Sequence, residues 1–195
     1  MSLELFTIDR KRKYLNTEEI DRFIRAANAQ ERAEVRTFCT VLAHTGARIS
    51  EVLALTVDSI DFSEQSIVFK TLKQRDRTRY RAVPVPSGTL DALELVHGIR
   101  RAQRAKKRIS DNKLWLWKRT QAYNLVKAVM KEADIDGAQA TAKGLRHGFG
   151  VRATEKTRNP RLVMKWLGHR SLDTTIIYMD VIGQEEREAA NKMWN

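Results

Sequence analysis

Cysteine occurs once, at Cys39, which excludes an internal disulfide and a cysteine-based zinc site. Proline and glycine are scarce, 3 and 9 among 195 residues, so collagen-like and low-complexity chains are excluded as well. No apolar run approaches the ~18 residues of a membrane span, and Met1–Arg12 lacks the apolar block of a signal peptide. No glycine-rich loop leads into Lys-Ser/Thr, and no serine sits in a nucleophile elbow. The histidines, His44, His97, His147 and His169, are scattered without metal-ligand spacing. Cys39 falls on an apolar helix face and reads as a buried structural thiol. With 42% apolar and 31% charged residues, the chain is globular, about one domain in length, and is expected to be soluble and cytoplasmic.

Charge is what the sequence has in excess. Lysine and arginine number 36 against 24 acids, a net charge of +12. The surplus is local. Lys70–Arg81 holds six basic residues against Asp76 alone, and Arg100–Arg119 holds nine against Asp111 alone. The rest of the chain is close to neutral, so the basic stretches predict a face for a polyanion, with nucleic acid as the first candidate.

Hydrophobic periodicity predicts mostly helix with one small antiparallel β-sheet, an α+β domain. Residues 1–15 read as a flexible basic lead. Asn16 and Glu19 form a capping-box pattern ahead of Ile20, Phe23, Ile24 and Ala27. Val35, Phe38, Cys39 and Leu42 mark a second helix that stops at Thr45-Gly46, and Arg48–Leu55 a short third. Short strands are expected around Val57–Phe62, Ile67–Phe69 and Ala82–Val85, with a basic hairpin tip over Gln74–Tyr80. Helices follow over Thr89–Lys107, Thr120–Ala133, Lys143–Glu155, Pro160–Leu167 and Leu172–Tyr178. The domain is expected to close near residue 183, before an amphipathic tail over Gln184–Trp194.

Several cationic residues sit at helix starts and turns. Arg48 follows the Gly46 turn with Glu51 three positions on, an arrangement that by itself suggests only a surface ion pair. Lys143 and Arg146 share a helix face. His169 follows Leu167-Gly168, and Tyr178 comes nine residues later. Taken in order these residues form three blocks. The run from His44-Thr45-Gly46-Ala47-Arg48 to Leu55 resembles the first arginine motif of the tyrosine recombinase (phage integrase) family. Lys143-Gly144-Leu145-Arg146-His147 resembles its second box, usually His-x-x-Arg, with Lys143 where the family most often has histidine. Leu167-Gly168-His169-Arg170-Ser171 through Tyr178 resembles the block that ends in the nucleophile. The likeness spans roughly Asn16–Tyr178.

The resemblance implies a catalytic domain that cuts and rejoins DNA at a specific site through a 3′-phosphotyrosyl intermediate, with neither ATP nor a metal required. Tyr178 would attack phosphorus. Arg48, Lys143, Arg146 and His169 would hold the non-bridging oxygens, and Lys73, with Lys70 second, would protonate the leaving 5′ oxygen. A lysine at 143 supplies charge and hydrogen bonds to phosphate but no proton relay near neutral pH. Lys70, Arg75, Arg77, Arg79 and Arg81 on the hairpin, and Arg101, Arg104 and Lys107 on the long helix, are the expected contacts to the DNA backbone. The implied partners are double-stranded DNA and further copies of the chain, as a tetramer on synapsed duplexes, with the tail packing on a neighbour or on its own domain; the implied location is nucleoid-associated. Most family members carry an N-terminal helical clamp. Here about 15 residues precede the first helix, as in an excised fragment or in the short fimbrial-switch invertases; without a clamp, affinity is expected to be modest and steeply salt-dependent. A type IB topoisomerase, a helix-turn-helix reader over Pro160–Tyr178 and a catalytically inactive accessory binder are the alternatives.

Overall fold

The computed structural model describes residues 5–71, 79–105, 113–179 and 190–194. Helix α1 (Thr17–Asn28) begins at the Asn16/Glu19 capping box, each side chain accepting from the other residue's backbone N–H, and buries Ile20, Phe23 and Ala27. They pack on α2 (Ala33–Thr45), whose Val35, Phe38, Cys39, Val41 and Leu42 lie at the centre of the core. Phe38 meets Trp115 and Trp117 edge to face, with centroids 5.3 and 5.4 Å apart.

Gly46 stops α2. Its φ of +59° is left-handed, and a Cβ there would lie 2.5 Å from the Phe149 ring, so only glycine fits. The sharp stop delivers Arg48 to the N-cap of α3 (Ile49–Val52). A 3-10 turn over Val57–Ser59 then leads into the antiparallel sheet β1-β2-β3 (Ile60–Asp61, Ser66–Thr71 and Arg79–Pro84). The first strand is thus shorter than expected, because Val57–Ser59 coils. Ile67 and Phe69 of β2 pair with Val83 and Arg81 of β3 on the buried face.

The long helix expected over Thr89–Lys107 is broken into α4 (Ser87–His97) and α5 (Ile99–Arg104). Gly98 adopts φ +59° and returns its N–H to Glu94 O, a left-handed cap that ends one helix before the next begins. The chain continues through α6 (Arg119–Glu132), α7 (Ala142–Thr157), α8 (Pro160–Leu167) and α9 (Asp173–Ile176). The mostly helical architecture with one small antiparallel sheet is therefore as the sequence predicted.

Residues 5–15 of the leading segment, expected to be flexible over residues 1–15, are packed against the domain, and residues 1–4 lie outside the described residues. Leu5 and Leu15 are fully buried, and Leu5 and Tyr14 join Val151, Val163, Leu167 and Tyr178 in a second, smaller apolar cluster. Their apolar side chains are spaced without a regular period, so sequence pattern gives no sign of this packing. Residues 190–194 are helical with Met193 and Trp194 exposed, and the rest of the tail, residues 180–189 and 195, lies outside the described residues. Among the described residues no helix is long and apolar enough to cross a membrane.

Candidate active site

A buried carboxylate organises the site. Glu51, in the first turn of α3, is 3% exposed. It accepts two hydrogen bonds from Arg81 of β3 (Nη1 3.1 Å, Nη2 2.9 Å), one from the Arg48 backbone N–H (2.8 Å) and one from Arg48 Nη1 (3.3 Å). Arg146 Nη1 lies 3.9 Å away. Burial by itself would raise the carboxyl's pKa, but the Arg81 and Arg48 contacts outweigh it and hold Glu51 below the ordinary carboxylate range.

Arg146, in the second turn of α7, ties two distant turns together. Nη1 donates to Gly46 O and Nη2 to Leu167 O, both at 2.8 Å. Burial and the neighbouring Arg48 lower its pKa to about 10, which leaves it a cation at neutral pH. Leu167 closes α8, and His169 follows the Gly168 cap. His169 Nδ1 pairs with Thr175 Oγ1 at 2.9 Å. Burial, then Arg146 and Arg48, push the His169 imidazole down to about 3, so it is neutral near pH 7.

Tyr178 lies just beyond α9 and is 2% exposed. Its ring is stacked with His169, centroids 6.1 Å apart at 26°. Its hydroxyl is 3.1 Å from His147 Nδ1. Beneath the ring is Gly150 of α7, where a Cβ would sit 2.6 Å from Tyr178 Cε2 and Cζ. Gly150→Ala would ordinarily favour a helix by about 1 kcal/mol. Here the methyl would meet the buried tyrosine ring, so the sign reverses and Gly150→Ala is expected to melt at a lower Tm than wild type.

Arg48, Lys143, Arg146, His169 and Tyr178 all line one cleft of about 790 Å³, together with His147, Arg119 and Tyr123. None of the described residues lining it is acidic. The first turns of α6 and α7 border the cleft and carry no acid either, so their backbone N–H groups add to a field that favours an anion. Permanently charged guanidinium groups beside a buried phenol hydroxyl are suited to holding a phosphodiester while an oxygen attacks it.

A model of the phage integrase family matches residues 13–185. The chain belongs to that family. It is 26% identical over 185 residues to a tyrosine recombinase of Thermosipho africanus, with 92% of this chain and 61% of the relative covered. The phage integrase fold also superposes on XerH site-specific recombinase bound to palindromic difH substrate in a post-cleavage complex, with a TM-score of 0.77 at 23% identity over 94% of this chain and 54% of that one. On the catalytic domain of bacteriophage HP1 integrase the TM-score is 0.65 at 21% identity, over 93% and 95% of the two chains. The chain thus spans less than two thirds of the length of the curated relative it matches.

Within this phage integrase domain the remaining predicted residues separate. Lys73, Arg75, Arg77 and Lys107 lie outside the described residues. Lys70 is exposed on β2, paired with Tyr80, and is not among the cleft-lining residues. Arg79, Arg101 and Arg104 are exposed, and Arg104 borders a separate hollow of about 520 Å³ beside β1 and α5.

Arg81 corrects the sequence reading. It is not a surface grip on a phosphate backbone but is 6% exposed, paired with Glu51, bonded through Nε to Trp166 O (2.8 Å) and stacked 4.9 Å from the Phe69 centroid. Its position two residues before Val83 and four before Val85 puts it on the inward face of β3. The sequence reading also missed His147, the residue in contact with the Tyr178 hydroxyl. It lies four residues after Lys143, hence on the same helix face.

Proposed function

We propose that this domain is the catalytic part of a site-specific DNA recombinase that cleaves and rejoins strands through a 3′-phosphotyrosyl bond to Tyr178. The observation that carries this reading is the convergence on one cleft, free of acids among the described residues, of Arg48, Lys143, Arg146, His169 and Tyr178, delivered by the α2–α3 turn, α7, the end of α8 and the end of α9. XerH, seen with its difH substrate, supports duplex DNA as the ligand.

In this reading Arg48 and Arg146 meet the non-bridging oxygens, where negative charge grows as Tyr178 Oη attacks phosphorus. Each such preorganised donor contributes about 2.7–4 kcal/mol to the transition state. Lys143 and His169 add donors, and Lys73 protonates the departing 5′ oxygen. The phosphotyrosyl ester keeps the energy of the broken bond, so a 5′-hydroxyl from a partner strand reverses the step. The exposed arginines Arg79, Arg101 and Arg104, with Lys70, Arg75, Arg77 and Lys107, bind the flanking backbone. Synapsis of two duplexes calls for further copies of the chain, a tetramer, with the tail from Gln184 packing between neighbours.

The test is a covalent-adduct assay. Wild type and Tyr178→Phe are incubated in EDTA with nicked suicide duplexes tiling the DNA around the gene, then run on a denaturing gel. A shifted protein–DNA band from wild type only is the expected result. Equal DNA binding by both proteins with no band from either would favour an accessory DNA binder instead.

A further inference from the structure

We infer that His147 is the proton acceptor for Tyr178 during strand cleavage, the part that Lys143 cannot play. This rests on the recombinase reading above. Lys143 occupies the position where the family most often has histidine, and as an ammonium ion it has three donors and no lone pair. One helical turn later, on the same face of α7, the His147 ring presents Nδ1 to the Tyr178 hydroxyl at 3.1 Å. That is within the reach required of a general base.

A second observation separates His147 from an ordinary core histidine. Its Nε2 is buried and has no hydrogen-bond partner among the described residues. A structural histidine normally engages both nitrogens, because an unpaired buried polar atom opposes folding. Here the imidazole is held by its contact with the tyrosine hydroxyl and by the ring packing beside it, with centroids 5.9 Å apart. The other imidazole in the cleft is otherwise committed, since His169 Nδ1 pairs with Thr175 Oγ1.

The charge state also suits an acceptor. Lys143 and Arg146 on its own helix and Lys13 on the leading segment face His147, along with His169 and Tyr178. Burial first, and then these cations, push the imidazole down to about 4, so at neutral pH it carries a free lone pair. The incoming phosphate brings negative charge to the same cleft and raises the proton affinity of the ring at the moment it is needed.

In the forward step the Tyr178 O–H bond breaks and its proton passes to His147 Nδ1. The oxygen's electron pair forms the O–P bond, the P–O5′ bond breaks with its electrons going to the 5′ oxygen, and that oxygen takes a proton from Lys73. In the reverse step the 5′-hydroxyl attacks phosphorus as its proton returns to Lys73, and the His147 imidazolium gives its proton back to the tyrosine oxygen.

The experiment measures the single-turnover rate of adduct formation on the nicked suicide duplexes for wild type, His147→Asn and His147→Gln. Both amides are polar and of similar bulk but hold no base; Tm and DNA gel shift report folding and binding. With binding unchanged, adduct formation is expected to slow by about 100-fold or more. The variants should also gain a rate that climbs with pH between about 6 and 9, as hydroxide replaces the missing base, whereas the wild-type rate stays flat. A 5′-bridging phosphorothiolate duplex, whose sulfur leaves without a proton, should restore Lys73→Ala but not the His147 variants.

A folded amide variant that cleaves within about threefold of wild type, or that the sulfur substrate restores, would overturn the assignment. A variant slowed equally at every pH would reduce His147 to a positioning residue and overturn it too. Wild type giving no adduct on any duplex would overturn the recombinase reading itself, and the inference with it.

Discussion

Glu51→Gln should cost the domain about 3–5 kcal/mol of stability, the penalty for removing one partner of a buried ion pair. The amide keeps the shape of the side chain but leaves Arg81, 6% exposed, as a buried cation without its counter-charge. Urea unfolding at pH 7 measures the loss, and a variant within about 1 kcal/mol of wild type would show that Arg81 is neutralised elsewhere.

The pH dependence is a second readout of the same residue. Glu51 has a folded pKa below its unfolded value of about 4.3. Its contribution is therefore complete above that value and disappears as pH falls through the folded pKa. His147 and His169, depressed to about 4 and about 3, act earlier in an acid titration. The unfolded chain takes up their protons from about pH 6.5 downward while the folded one does not. Wild-type stability should thus decline in two stages, below about pH 6.5 and again below about pH 4. Glu51→Gln should retain the first and show a smaller second, since Glu19 is also held below the ordinary carboxylate range.

Arg146→Lys is expected to slow adduct formation by about 100- to 1000-fold, equivalent to ~2.7–4 kcal/mol of transition-state stabilisation. A lysine keeps the charge but presents one compact ammonium in place of a planar fork. It cannot span Gly46 O and Leu167 O, which Arg146 joins through its two separate Nη groups. Affinity for duplex DNA should change little, because it is shared among many backbone contacts. Single-turnover cleavage compared with a gel shift separates the two effects, and a loss of less than about tenfold would place Arg146 outside the transition-state contacts.

Much of this was legible in the sequence, for local reasons. The Asn16/Glu19 cap and the Gly46 stop are written in adjacent residues, and both are present. The resemblance of the three motif blocks to the phage integrase family pointed to Arg48, Lys143, Arg146, His169 and Tyr178, which line one cleft. The departures arise where tertiary packing overrides local pattern. Gly98 lay within a run of otherwise helix-compatible residues, and only its left-handed backbone divides α4 from α5. Arg81 was grouped with its basic neighbours, although its phase with Val83 and Val85 already marked the inward face. The ion pair of Arg48 with Glu51 was expected to be a weak surface contact, since nothing in the local sequence announces that β3 brings Arg81 beneath it. His147 was passed over because its role depends on a tyrosine 31 positions away.

The cluster around Glu51 has a thermodynamic consequence. One carboxylate sits among Arg48, Arg81 and Arg146, so the cleft is locally frustrated, its cations repelling one another within a partly desolvated space. That surplus also helps to keep both imidazoles unprotonated. The frustration is relieved by an entering anion rather than by any further folding of the chain. Neutralising Lys143, which makes none of the ion pairs to Glu51, should then tend to make the domain sturdier and the catalyst poorer, the trade-off expected of a site held ready for its ligand.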